Sequence, residues 1–130
     1  MLTLPSNVKI YAATEPADFR KSFDGLAAIV ESKFGMSAHS GHVFVLLNRR
    51  ANQIRLLFWE RDGLCLVAKR LEAGTFRRVI NIEGAITHMQ IDGAELLLLL
   101  EGIDVSSMRR RKRYVGPPQN DVVDQKNSAP

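Results

Sequence analysis

Cysteine is almost missing from this chain of 130 residues. Cys65 stands alone, so no internal disulfide can form, and within Leu64-Cys65-Leu66-Val67 it reads as a small buried hydrophobe in a reducing compartment. Long apolar runs are missing too. None exceeds the five leucines at 96–100, far short of the roughly 20 residues that span a bilayer. No basic-then-apolar leader opens the chain. The expectation is a cytoplasmic protein with no membrane contact.

The ingredients of most enzymes are scarce as well. There is no phosphate-cradling glycine loop and no nucleophile with a matching base signature. His39 and His42 flank Ser40-Gly41 with no second ligand pair behind them, whereas zinc needs three or four convergent donors. His88 reads as a half-exposed sheet residue. Asp18 and Asp24 would lie about 120° apart on a helical wheel, and each has a nearer ionic partner, Lys21 for Asp18 and Arg20 for Asp24. A carboxylate site for metal-dependent hydrolysis is therefore disfavoured. The expectation is a protein without catalytic residues, metal or cofactor.

What is present is charge, unevenly placed. Residues 1–48 carry four basic and four acidic groups. Residues 49–78 carry eight basic and three acidic, residues 79–108 five acidic and no basic, and residues 109–130 six basic and two acidic. A neutral body thus bears opposed poles and a basic appendage, a layout that draws polyanions to one side and leaves the other for a basic partner.

The length fits one domain that buries roughly two-thirds of its unfolded surface. Residues 8–12 alternate as a first strand. Thr14 or Glu15 can cap a helix with Pro16 in its first turn, and Phe19, Phe23, Leu26, Val30 and Phe34 make a helical stripe that Gly35 ends. Gly25 inside it suggests close approach by a neighbouring element. Residues 42–48, 53–60 and 64–70 form a meander. Asn52 is the residue suited to left-handed backbone in its first loop, and Asp62-Gly63 signals a hairpin turn. In the second of these strands Ile54, Leu56 and Phe58 make the core face. Arg55, Leu57 and Trp59 make an amphipathic face, half covered or set against a partner. Residues 86–91 read as a further strand. Asp92 and Glu95 open a short helix through the leucines, with Gly102 as its stop. Five leucines go all round a helix, so one should meet a second subunit or a covering strand, and a second copy of the chain is a candidate partner.

The fold class expected is α+β: a single domain over 1–104, an antiparallel sheet of four to five strands, one long helix packed on it and a short C-terminal helix. Residues 105–130 read as a basic, disordered tail. The candidate nucleic-acid-binding residues are Arg49, Arg50, Arg55, Lys69 and Arg70, grouped around Trp59, with Arg109, Arg110, Arg111, Lys112 and Arg113 of the tail. Cations neutralise phosphates and a tryptophan can stack on a base. Solvation alone, or an acidic protein surface, would use the same residues.

The ordered series Asp18-x-Arg20-Lys21-x-x-Asp24-Gly25-Leu26, Gly41-His42-x-Phe44-Val45, Asn48-Arg49-Arg50, Leu57-Phe58-Trp59-x-x-Asp62-Gly63 and Lys69-Arg70-Leu71-Glu72-x-Gly74-x-Phe76 resembles the small TnpB (Orf2-like) accessory proteins of the IS66 family of bacterial insertion sequences. The resemblance covers roughly residues 5–104. It implies an accessory role in DNA transposition beside a separate, larger transposase that carries the cutting and joining chemistry. The basic meander and tail make a non-catalytic protein that contacts DNA the leading expectation, with docking on that transposase without direct DNA contact as the alternative. Departures are modest: Phe19 stands where methionine is usual, Ser22 where glycine is common, and Ala51-Asn52 replaces a glycine-containing loop. The usual Trp-Pro after Phe76 is absent, which leaves residues 77–85 without a template.

Overall fold

The computed structural model of the protein describes residues 7–79 and 87–101. Five strands, β1 (Ile10–Ala13), β2 (Val43–Leu47), β3 (Gln53–Glu60), β4 (Gly63–Arg70) and β5 (His88–Ile91), form one sheet in the order β4-β3-β2-β1-β5. Helix α1 (Phe23–Ile29) continues as a π-helical segment (Val30–Phe34), and α2 (Gly93–Leu100) follows β5. The α+β class expected from the sequence is the class observed.

All five residues of β2 are buried, because this strand lies at the centre of the sheet and both its faces are covered. Phe44 and Leu46 pack with Leu57 of β3 beneath Leu26, Ala27, Val30 and Phe34 of the helix. Val43, Val45 and Leu47 pack with Ile54, Leu56 and Phe58 beneath Leu96 and Leu99 of α2 and Phe76 and Val79 of the segment that follows β4. The core face assigned to β3 is thus a core face, and its other face is half covered, with Leu57 buried and Arg55 and Trp59 half-buried.

Several details depart from the sequence reading. The sheet is mixed: β1 runs parallel to β2, and all other pairs are antiparallel. A parallel pair needs a crossover, and the helix supplies it. That helix is short, 12 residues from Phe23 to Phe34, and does not begin at Pro16. The backbone before it is committed elsewhere: Ala17 N–H donates to Leu47 O (2.8 Å), Lys21 N–H to Asp18 O (3.2 Å), and Arg20 N–H to Asp18 Oδ1 (3.0 Å). Phe23 is consequently 45% exposed instead of core, while Gly35 ends the helix with φ of 68° as anticipated.

The ion pairs shift with the helix start. Arg20 pairs with Asp18 (2.9 Å), not Asp24, and its hydrogen bonds hold the Asp18 carboxyl well below the usual carboxylate range. Gly25 accommodates the Lys21 side chain of its own preceding turn, not a neighbouring element.

The turns differ too. Left-handed backbone in the β2–β3 loop falls on Ala51 (φ 58°), not Asn52. The β3–β4 turn centres on Arg61-Asp62, since Glu60 pairs with Gly63, and Arg61 takes φ of 59°. Asp92 and Glu95 form the capping box expected of α2, whose stop at Gly102 lies outside the described residues. Residue 86 of the fifth expected strand lies outside them as well.

Two outcomes follow. Gly25→Ala should forfeit the gain of about 1 kcal/mol expected from helix propensity. Its Cβ would sit 2.7 Å from Lys21 Cβ, so the urea midpoint should fall or stay flat, not rise. His88 stacks on Phe34 (centroids 4.8 Å) and meets Tyr11 edge-on (5.7 Å), and desolvation lowers its pKa from 6.5. A depressed folded-state pKa means this contribution is complete above about pH 6.5 and is lost as pH falls below it. Melting temperature should therefore drop between pH 7.5 and 5.5 (roughly one unit either side of the free imidazole pKa), and His88→Gln should flatten that drop.

Candidate nucleic-acid interface

The loop from Asn48 to Asn52 joins β2 to β3, and its asparagine side chains and most of its carbonyls are used to hold its shape. Asn48 Nδ2 donates to Asn52 Oδ1 (2.7 Å), Gln53 N–H to Asn48 Oδ1 (3.0 Å), and Ala51 N–H to Asn48 O (3.0 Å). Ala51 is buried, which turns the neighbouring Arg49 and Arg50 outward, both exposed.

The chain after β4 folds back across this loop. Leu71 N–H donates to Asn52 O (2.8 Å) and Phe76 N–H to Ala51 O (2.6 Å). Phe76 anchors the return in the core. Half-buried Arg78 then donates its guanidinium to the carbonyls of Asn48 (3.4 Å) and Arg49. Arg77 beside it is exposed. On β4, Arg70 stands opposite Gln53 at the same end of the sheet, its guanidinium 3.4 Å from the Glu72 carboxylate. Lys69 is on the other face of the strand and donates to Leu100 O (3.0 Å) at the end of α2. Segments 48–54 and 69–79 thus bring six basic residues and one acidic residue to one rim.

The tryptophan is not part of this rim. Trp59 is half-buried, pairs with Leu64 near the opposite end of the hairpin, and its ring lies 4.7 Å from His39. Six strand residues separate it from Gln53, about 20 Å. The cations grouped around Trp59 by sequence are therefore spread along a strand pair. Arg55 is also engaged: its guanidinium lies 4.4 Å over the Phe19 ring, and Nη1 donates to Lys21 O (3.0 Å), which ties the sheet to the turn before α1. The five basic residues from Arg109 to Arg113 lie outside the described residues.

Arg77 and Arg78 were not singled out from the sequence, although they belong to its basic window. Their position depends on the return of 71–79 over the loop, which no local pattern announces. Elsewhere, a cavity of about 220 Å³ lies between the 13–18 segment and the helix, with Glu15 and Lys33 paired at its mouth (3.6 Å). Among the described residues no group of three histidine, cysteine or acidic side chains could hold a metal ion, and no helix is long and apolar enough to cross a membrane.

The model of the IS66 Orf2-like proteins matches residues 8–110. The chain belongs to that family. It is an insertion-sequence accessory family rather than a known catalytic one, and membership implies association with an IS66 transposase. Two proteins of Sinorhizobium fredii (strain NBRC 101917 / NGR234), the uncharacterized proteins y4jC and y4hO, are each 34% identical over 104 residues. The alignments cover 80% of this chain and 86% and 88% of those proteins. No solved structure matches the chain.

Arg78→Ala should cost about 1.5 kcal/mol, the scale of a hydrogen bond from a charged donor, and should speed amide exchange at Arg50 and Ala51. Arg77→Ala, one residue away and exposed, should change stability by less than about 0.5 kcal/mol.

Proposed function

We propose that this accessory protein contacts the DNA of its element through the braced rim, with Arg49 and Arg50 as principal phosphate ligands and Arg70 and Arg77 beside them. The observation that carries the reading is the fixed, outward placement of Arg49 and Arg50 on a loop whose backbone is bonded on three sides. Cations on rigid backbone lose less freedom on binding than cations on a mobile loop. Lys69 and the tail residues Arg109, Arg110, Arg111, Lys112 and Arg113 add sequence-independent attraction. Trp59 and Arg55 leave the binding set under this reading: the first is remote from the rim and the second is bonded inside the fold. The protein carries out no reaction of its own and works in the cytoplasm beside the transposase.

A second reading has one observation in its favour. Leu97 is 51% exposed on α2, in a segment whose exposed charged groups, Asp92 and Glu101, are both acidic. Such a surface suits docking on a basic face of the transposase, with DNA contact incidental.

A salt titration of binding to duplex DNA separates them. Each phosphate contact contributes about −0.9 to the slope of log K against log salt. Replacing Arg49 and Arg50 by alanine should make the slope shallower by about 2. Affinity that is flat between low and moderate salt, together with transposase capture lost in Leu97→Asp, would select docking instead.

A further inference from the structure

We propose that β4 is a self-association edge, through which two copies pair antiparallel and fuse their sheets into one of ten strands. Among the described residues β4 has a strand neighbour on only one side. It is eight residues long, none of them buried, and contains no proline, whereas β5 at the other edge has four. Open edges are usually blunted by proline, bulges, brevity or charge. Here charge sits only at one end, on Lys69 and Arg70, and Gly63 to Ala68 is uncharged.

The hydrogen-bond alternation shows which groups point outward. Glu60 and Gly63 close a two-residue turn, and Leu71 N–H bonds Asn52 O (2.8 Å), so the odd-numbered residues of β4 bond to β3. The backbone groups of Leu64, Leu66 and Ala68 therefore face away from the sheet. Apolar side chains flank them on both faces: Leu64 and Leu66 toward α1, Cys65 and Val67 (47% exposed) on the other. Of the large hydrophobics exposed among the described residues, Val67 lies on this strand, and Phe23 (45% exposed) lies on α1, which packs over β3 and β4.

The strand's own sequence selects a second copy as the occupant. Antiparallel pairing in one sheet keeps faces together, so residues of like parity must meet. With Leu66 opposite the partner's Leu66, Leu64 meets the partner's Ala68 and Cys65 meets the partner's Val67. Lys69 meets the partner's Gly63, and Arg70 comes opposite the partner's Asp62. Every apolar residue of the edge then has an apolar counterpart, and the basic end of each strand finds the carboxylate at the other's turn. A slide by two residues would place Arg70 against the partner's Leu64 and lose that pair.

Sedimentation of the full chain tests this. The wild type should run at twice the chain mass, and Ala68→Pro should run at the chain mass with unchanged far-ultraviolet dichroism, because the amide it removes points outward. In a Cys65→Ser background, Leu66→Cys should give a disulfide-linked dimer on mild oxidation, since directly opposed hydrogen-bonded residues have Cα atoms about 5.5 Å apart. A wild type that stays at the chain mass at every concentration overturns the proposal, as does a dimer that Ala68→Pro leaves intact. Should Ala68→Pro fail to fold, the crosslink decides: absence of the Leu66→Cys dimer overturns it.

Discussion

A strand buried on both faces is the constraint from which the rest of this molecule follows. β2 offers apolar side chains up and down, so each side of the sheet has to be roofed. One roof is the helix that must in any case cross over between the parallel strands β1 and β2. The other is assembled from α2 and the return of residues 71–79. That return is what presses a second stretch of chain against the loop leaving β2 and gives the loop its hydrogen-bonded frame. The basic rim is a by-product of how the core is closed.

The rim also explains why guanidinium groups of similar sequence context have different roles. Arg49 and Arg50 sit where the backbone is fixed, and their side chains are exposed among the described residues. Arg78 spends its donors on main-chain carbonyls, and Arg55 spends one on Lys21 O while stacking on Phe19. A cation with its donors engaged inside the fold has less to offer a phosphate. The division between structural and available arginine is therefore made by tertiary contacts, not by composition.

Period and capping signals were readable where they are local. The eight residues of β3, the buried set Ile54, Leu56 and Phe58, the Asp92/Glu95 box and the Gly35 cap all stand where the pattern puts them. The misplaced helix start has an equally local cause: Phe19 fits a four-residue spacing, yet the Asp18–Arg20 turn competes for the same backbone and wins. Asn52 is a natural left-handed residue, but its amide group is used by Asn48, and Ala51 takes the strained position because its small side chain fits the core there. The parallel pairing of β1 and β2, the return over the loop and the separation of Trp59 from Arg49 could not be read, since each is a statement about distant segments. The family was legible from the ordered blocks, and the family match confirms it.

Lys69 reaches from β4 to the Leu100 carbonyl at the end of α2, a helix with no basic residue in its own last turn. This contact also fixes where the remaining chain departs. Arg109 follows Leu100 by nine residues, so it is leashed within about 30 Å of the Lys69 ammonium whatever path the chain takes. Leashing of that length corresponds to millimolar effective concentration. On the DNA-contact reading proposed above, a polyanion at the rim would lie within reach of the five-residue basic tract, which would serve as an intramolecular second grip.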